Sequence, residues 1–231
     1  SQPPLVYVFT GMGPQWHGMG KELYAQEPAF REFLDRADEV LRGIAGWSIL
    51  GEMQKPEASS RMSDTQIAQP AKFDMQARLF ELYSHLGLRP DVVMGHSVGE
   101  VSAAYASGAL SLEDALTVSY HRSQLQATLE GSGGMLADGL PESEARQLLE
   151  DSSVRDFSDV DVAAINAPDS VTLAGDSTQL EQIAELLESR GVFNRILTVE
   201  VPYHSATMDR IDGALSEALR GLTPQSPKTP V

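Results

Sequence analysis

The architecture of this chain is set at residues 91–106, which read DVVMGHSVGEVSAAYA. Residues 91–95, apolar from Val92 to Met94, are typical of a short buried strand, and 100–106 is compatible with a helix. Between them, Gly95-His96-Ser97-Val98-Gly99 matches the pattern G-x-S-x-G. That pattern needs a strand before it and a helix after it, because its glycines let the chain turn sharply and expose the serine hydroxyl. The segment therefore predicts an α/β protein with a nucleophilic Ser97 on the turn.

A serine hydroxyl is a weak nucleophile until a base removes its proton, so a histidine is expected to act with Ser97. Of the five histidines, His85 falls at the end of a predicted helix and is interpreted as a surface residue. His96 is adjacent to Ser97, where neighbouring side chains diverge, so it is expected to pack or hydrogen-bond locally. His204 follows a strand and a proline in VPYHS, a loop position where a base and Ser97 can meet. His204 is the predicted base.

Composition excludes several classes of function. The chain has 231 residues, of which 42% are hydrophobic, which suits one large domain or one domain with a smaller insert. With no cysteine, it has no disulfide, thiol nucleophile or cysteine metal ligand, and no histidine pair has metal-ligand spacing. Its 17 basic and 33 acidic residues give a net charge of −16, which argues against nucleic acid as a partner. No apolar stretch approaches the roughly 20 residues of a membrane span, and a cytoplasmic location is expected.

The part of the chain before residue 131 reads as a strand followed mainly by helices. The predicted elements are a buried strand at 5–9, a Gly-rich loop at 11–20, a helix over 30–41, a loose polar segment over 43–64, a helix from Pro70 to Gly87, and a helix from a capping box at Ser111 to about Leu129.

The glycines of 131–134 interrupt this pattern, and the order of elements then changes. The predicted elements are a strand near Met135, a helix over 141–150, strands at 160–165 and 171–174, a helix over 178–190 and a strand at 196–199. The order β-α-β-β-α-β is ferredoxin-like. Residues 132–197 are therefore predicted to be an α+β insert in a first domain formed by 1–131 and 198–231. That domain is expected to end with a helix over 205–220 and an extended, proline-containing tail at 222–231.

Seven short motifs occur in an order that resembles one family. They are FTGMGPQW at 9–16, QP at 69–70, GHSVGE at 95–100, RS at 122–123, GGM at 133–135, NAP at 166–168 and PYHS at 202–205. The chain resembles, along nearly its whole length, the acyltransferase domains of type I polyketide and fatty acid synthases and the related malonyl-CoA:acyl carrier protein transacylases. The resemblance implies a hydrolase-like core with a short parallel sheet and an inserted ferredoxin-like subdomain.

The resemblance also implies a role for each residue of the site. Ser97 is the acylated nucleophile, His204 its base, and Arg122 the partner of the free carboxylate of the substrate. The backbone amides of Met12 and Val98 form the oxyanion hole. Many relatives have glutamine where Met12 stands, which matters little for a backbone amide. The planar fork of a guanidinium suits bidentate binding of a malonyl-type carboxylate, so a dicarboxylic acyl-CoA is expected.

Six further residues are predicted to line the substrate site: Gln15, Gln69, His96, Asn166, Val201 and Tyr203. The amide side chains among them have an alternative role, which is to satisfy backbone groups of loops. In related polyketide synthases the four residues ending at the base often read His-Ala-Phe-His for malonyl and Tyr-Ala-Ser-His for methylmalonyl, whereas residues 201–204 here read VPYH. The aromatic ring at Tyr203 resembles the malonyl pattern and should crowd an α-methyl group. Malonyl is the predicted acyl group.

The implied partners are a CoA thioester as substrate and the phosphopantetheine arm of an acyl carrier protein, within a larger multidomain synthase and with no permanently bound cofactor. Two alternatives remain at this point. A serine hydrolase or thioesterase of the α/β class needs an acid between serine and histidine in chain order, and Asp161, Asp169 and Asp176 fall there, although all three belong to the predicted insert. A non-catalytic docking module would use the acidic residues of 130–161 as its contact surface.

Overall fold

A computed structural model describes residues 3–13, 15–151 and 156–231. The chain forms two compact units. One comprises Ser1–Gln124 and Leu215–Val231, and the other comprises Leu125–Ala214. Pro14 of the first motif and residues 152–155 of the acidic segment lie outside the described residues. The narrower insert expected from the sequence, 132–197, stays a prediction.

The first unit combines a short parallel sheet with helices. Its elements are β1 (Val6–Phe9), α1 (Lys21–Gln26), α2 (Pro28–Ala45), α3 (Ile49–Gln54), α4 (Thr65–His85), β2 (Val92–Gly95), α5 (Gly99–Ala106) and α6 (Leu112–Ala127, whose last residues cross into the second unit). Strands β1 and β2 pair in parallel, with Val6 opposite Val92 and Phe9 opposite Gly95. Phe9 packs with Val93 of β2 and Ala103 of α5, which holds the helix after the turn against the sheet. The short parallel sheet predicted from the sequence is confirmed.

Helix α4 begins at Thr65, so the prediction that it begins near Pro70 is wrong. A proline inside a helix removes one hydrogen bond, because it has no N–H to donate to the carbonyl four residues earlier. Here that carbonyl belongs to Gln66, and the Ser123 hydroxyl of α6 lies 3.3 Å from it while donating its one proton to the Tyr120 carbonyl at 2.8 Å. Pro70 thus stands inside α4 at the cost of one backbone hydrogen bond of the helix.

The segment 43–64, expected to be a loose polar connection, contains helix α3 and a single 3₁₀ turn at Glu57–Ser59. The hydroxyl of Ser48 caps α3 by accepting a hydrogen bond from the Gly51 amide at 2.8 Å. Ile49 and Met53 are buried on its inner face. A helix of six residues is too short for hydrophobic periodicity to reveal it, which is why the sequence pattern missed it.

The second unit is built on an antiparallel sheet with two helices. Its elements are β3 (Gly134–Asp138), α7 (Glu142–Glu150), β4 (Val160–Ala167), β5 (Ser170–Gly175), α8 (Ser177–Ser189), β6 (Asn194–Ile196) and α9 (Asp209–Ala218, which crosses into the first unit). The strands lie in the order β4-β5-β3-β6, and all three neighbouring pairs are antiparallel. Leu180 and Ile183 of α8 pack on Leu173 of β5 in its core. The ferredoxin-like subdomain is confirmed.

The end of this subdomain differs from the prediction in two details. Strand β6 lies at Asn194–Ile196 and not at 196–199, because its pairing with β3 ends at Ile196 opposite Leu136. The helix expected over 205–220 is a 3₁₀ turn at Ala206–Met208 followed by α9.

The last ten residues are extended, as predicted, and they lie against the first unit. The Lys228 amide donates to the Ser107 carbonyl at 2.7 Å. The Val93 amide of β2 donates to the Pro230 carbonyl at 2.9 Å. In the described part of the chain, every helix is too short or too polar to cross a bilayer.

Candidate active site

Ser97 occupies the turn between β2 and α5 with a backbone φ of 53°. Among the described residues, only Ser97 and His204 combine a side chain with a positive φ. The turn is closed by the Gly99 amide, which donates to the His96 carbonyl at 3.0 Å, and by the Glu100 amide, which donates to the Ser97 carbonyl at 2.9 Å. Left-handed backbone at a non-glycine residue costs about 1–3 kcal/mol and is concentrated at functional sites. The turn at Ser97 is thus a strained backbone position of the kind that occurs at functional sites.

The two glycines of the motif are required by the close packing of this turn. A Cβ on Gly95 would lie 2.4 Å from the Glu100 Cα, and one on Gly99 would lie 2.1 Å from the Phe9 carbonyl oxygen. Both neighbours are backbone atoms, of Glu100 in α5 and of Phe9 in β1, and neither can move away without disrupting the turn or the sheet beside it. The sequence motif thus reflects a steric need at both ends.

The glycine-rich loop after β1 passes beside Ser97. A Cβ on Gly11 would lie 2.9 Å from His96 Nδ1 and 3.6 Å from the Ser97 Cβ, so the loop that continues into Met12 runs next to the turn. Val98 is 2% exposed and directly precedes α5, where backbone amides lack partners within the helix. The loop that carries the Met12 amide and the helix start that carries the Val98 amide therefore both adjoin Ser97. His96 is exposed on the same turn.

Arg122 and Gln69 form a second polar cluster in this unit. Arg122 is half-buried on α6 and donates from Nη1 to Oε1 of Gln69 on α4. Gln69 is fully buried. Gln69 lies on a helix and accepts from the guanidinium, and its place in a substrate site stays a prediction.

The remaining predicted amides make local contacts. Gln15 Oε1 accepts from the Gly13 amide at 2.8 Å, so this side chain stabilises its own loop. Asn166 is exposed on β4, in the second unit, and its Nδ2 donates to Thr172 Oγ1 at 2.9 Å.

His204 lies in the second unit, on a loop fixed by several hydrogen bonds. It is exposed and has a φ of 61°. Before it, the Tyr203 amide donates to the Val201 carbonyl at 2.9 Å. After it, the Ser205 hydroxyl donates to the Pro202 carbonyl at 2.7 Å, and Asp161 Oδ2 accepts from the Ala206 amide at 2.8 Å. These bonds hold the backbone of His204 in its left-handed conformation.

Val201 and Tyr203 anchor the same loop in an apolar cluster. Val201 is 1% exposed and packs with Leu129 and Ile211, while Tyr203 is half-buried against them. The cluster fixes the direction in which the aromatic ring beside His204 extends.

Lys72, Gln76 and Ser102 surround the loop after β1, and the sequence analysis did not single them out. Lys72 is 5% exposed, donates from Nζ to Thr10 Oγ1 at 3.1 Å, and has a pKa lowered by burial. Gln76 donates to the Thr10 carbonyl at 2.9 Å and accepts from the Ser102 hydroxyl at 2.7 Å. The available signal was a polar stripe at helical spacing, Gln69-Lys72-Gln76, on a largely buried helix.

The chain is similar in sequence and in structure to acyl transferase domains of known proteins. Residues 6–231 match the family model described as acyl transferase domain. The highly reducing polyketide synthase sdnO of Sordaria araneosa is 39% identical over 98% of this chain, and the pikromycin polyketide synthase component PikAIII of Streptomyces venezuelae is 36% identical over 98%. The chain spans 8% and 14% of the lengths of these relatives. The acyltransferase domain from module 8 of the salinomycin polyketide synthase superposes with a TM-score of 0.91 at 30% identity, covering 98% of this chain and 53% of that one.

Proposed function

Since the chain belongs to the acyl transferase domain family, we propose that it moves a malonyl-type acyl group from coenzyme A to a carrier-protein phosphopantetheine through an ester on Ser97. The observation that carries this proposal is the pair of strained backbones at Ser97 and His204, each at a residue predicted to react. Strain of this kind persists where surrounding contacts hold it. The turn glycines hold Ser97, and the bonds around residues 201–206 hold His204.

In the first half-reaction, Ser97 Oγ attacks the thioester carbonyl while His204 accepts the hydroxyl proton. The oxyanion is stabilised by the amides of Met12 and Val98, the latter at the start of α5, where the helix dipole also favours negative charge. The intermediate collapses to an oxyester, and the departing CoA thiolate takes the proton from His204. The step requires Ser97 Oγ and the imidazole to come within hydrogen-bonding distance.

In the second half-reaction, the phosphopantetheine thiol attacks the Ser97 ester, with His204 again accepting and returning one proton. Coenzyme A and the carrier protein thus use the same serine in turn, which is ping-pong kinetics. No resident metal or cofactor takes part in either step. The multidomain polyketide synthases among the relatives support a carrier protein within a larger synthase as the acceptor.

Arg122 selects a substrate with a free carboxylate. Its guanidinium is half-buried and donates to Gln69, and the planar shape of a guanidinium suits a bidentate bond to a carboxylate. An acyl group without a carboxylate forfeits this charge-assisted pair, which disfavours acetyl-CoA.

Malonyl is favoured over methylmalonyl. Tyr203 presents an aromatic ring next to His204, and its packing on the Val201 cluster limits how far the ring can retreat from an α-methyl group. One methyl group is worth about 1–3 kcal/mol in a pocket, so a preference of about 10- to 100-fold is expected. Replacing Tyr203 with serine should reduce this preference.

Incubating the protein with a malonyl thioester, before and after adding a carrier-protein thiol, tests the proposal. A transferase accumulates an acyl-enzyme and discharges it only when the thiol arrives. Rapid release of free malonate without the thiol would instead identify a hydrolase. If Ser97→Ala still acylated the carrier protein at the wild-type rate, a docking role would replace the catalytic one.

A further inference from the structure

Thr10, the residue between β1 and the glycine-rich loop, is held at both its backbone and its side chain. Gln76 Nε2 donates to its carbonyl at 2.9 Å, and Lys72 Nζ donates to its hydroxyl at 3.1 Å. Both donors lie on α4, one turn apart. Thr10 is therefore fixed by two independent bonds to one helix.

Gln76 is itself held in orientation from another helix. Ser102 on α5 is fully buried and donates its hydroxyl proton to Gln76 Oε1 at 2.7 Å. This bond assigns the oxygen of the amide to Ser102 and leaves Nε2 to donate to Thr10. Ser102 lies on the helix that Ser97 precedes, so the chain of bonds connects the loop to the same helix that orients the nucleophile.

Burial of Lys72 has an energetic cost that its hydrogen bond to Thr10 offsets. A lysine that is 5% exposed loses most of its hydration, and burial lowers its pKa. Desolvating a charged or polar group costs several kcal/mol unless hydrogen bonds compensate. The Thr10 hydroxyl supplies such a bond.

Thr10 directly precedes Gly11, the residue at which the loop contacts the turn that carries Ser97. The next residue, Gly11, lies so close that a Cβ there would be 3.6 Å from the Ser97 Cβ. Met12, whose amide is the proposed oxyanion donor, follows directly. A shift at Thr10 is thus transmitted to that amide over two residues.

We propose that Lys72, Gln76 and Ser102 are positioning residues that hold Thr10 and thereby set the Met12 amide for the oxyanion at Ser97. The inference rests on the proposed acyl transfer at Ser97. It adds to that transfer a polar network that does not touch the substrate. An oxyanion donor must be positioned before reaction to be effective, and a misplacement of about 1 Å can cost about 100-fold in rate.

The test measures single-turnover formation of the acyl-enzyme from malonyl-CoA, together with amide hydrogen exchange of residues 10–13. In Gln76→Glu, the carboxylate still accepts from Ser102 but repels the Thr10 carbonyl. The matched control is Gln66→Glu, which makes the same charge change at an exposed position of α4. A second pair keeps the test independent of folding at Gln76: Thr10→Val removes the hydroxyl that Lys72 binds, and Thr10→Ser retains it.

Gln76→Glu is expected to slow acylation by about 10- to 100-fold and to speed exchange in 10–13, with malonyl-CoA affinity unchanged in a Ser97→Ala background. Thr10→Val should show the same pattern, and Thr10→Ser should restore the rate. Wild-type rates and exchange in both Gln76→Glu and Thr10→Val would overturn the inference while leaving acyl transfer intact. Failure of the wild-type protein to acquire an acyl group would instead overturn the proposed function, and this inference with it.

Discussion

The guanidinium of Arg122 donates through Nη1 to the side-chain oxygen of Gln69, a residue with no exposed surface. The bond joins α6 to α4 and fixes the plane of the guanidinium. A fully buried amide that accepts from an arginine limits the orientations open to the guanidinium, which is the group predicted to bind the substrate carboxylate.

Replacing Gln69 with glutamate should therefore weaken selection for dicarboxylic substrates. The new carboxylate would neutralise Arg122 and compete with that of malonyl-CoA. Acylation rates with malonyl-CoA and acetyl-CoA, measured separately, should show the malonyl preference falling by about 10- to 100-fold. Gln66→Glu, at an exposed position of α4, is the control. If Gln69→Glu left the malonyl preference unchanged, Arg122 would not be the residue that recognises the carboxylate.

The contact between Asp161 and the loop of His204 leads to a second prediction. Asp161 Oδ2 accepts from the Ala206 amide at 2.8 Å and so ties the loop to β4. Asp161→Ala should lower the acylation rate by about 10-fold, because the base loses part of its positioning. Asp169→Ala, at an exposed position between β4 and β5, should leave the rate unchanged. Equal rates in the two variants would show that this bond does not position His204.

These contacts illustrate what the sequence does and does not determine. The turn at G-x-S-x-G could be predicted from the sequence because each glycine of the motif is required by close contacts of the turn itself. The bond between Arg122 and Gln69 was not, since it joins residues far apart in the chain whose approach depends on helix packing. The contact of Lys72 with Thr10 was not predictable either, because a lysine on a helix is ordinarily exposed and this one is buried only by the packing of the fold.

The core of the first unit contains a fully buried ion pair, Asp74 with Arg78, one turn apart on α4. The Arg78 guanidinium also lies 4.4 Å from the centre of the Phe30 ring. Removing one member of such a pair leaves a buried charge, so Arg78→Met should lower the free energy of unfolding by about 3–5 kcal/mol. The double variant Asp74→Leu/Arg78→Met should recover most of this loss in denaturant unfolding. Equal destabilisation of the single and double variants would contradict the account.

The same pair predicts a specific pH dependence. Burial raises the pKa of Asp74 from 3.8 to about 6, an effect that the Arg78 charge only partly offsets. Between these values the folded protein holds a proton that the unfolded chain has lost. Asp74 therefore contributes stability below about pH 4 that is lost as the pH rises through 6, by up to about 3 kcal/mol.

The measurement is the free energy of unfolding against pH for the wild type and for Asp74→Leu/Arg78→Met. The wild type should lose stability relative to the double variant between about pH 4 and 6. Parallel curves across this range would show that Asp74 titrates at its ordinary value.

Helix boundaries were the least predictable feature of the fold. Pro70 predicts a helix start because proline favours the first turn, yet α4 begins at Thr65 and contains the proline in its interior. The β-α-β-β-α-β order could be predicted because the apolar residues of its strands and helices recur at the spacing typical of each element. The positive φ of His204 has no local sequence signal, since it is imposed by the bonds of residues 201–206.

Peptide mapping by mass spectrometry after a brief exposure to malonyl-CoA tests acyl transfer through Ser97 most directly. A malonyl ester should appear on the peptide that contains Ser97, be absent in Ser97→Ala, and form at least about 100-fold more slowly in His204→Ala, given the usual contribution of a general base. A malonyl group on any other residue, or wild-type labelling in His204→Ala, would contradict the mechanism.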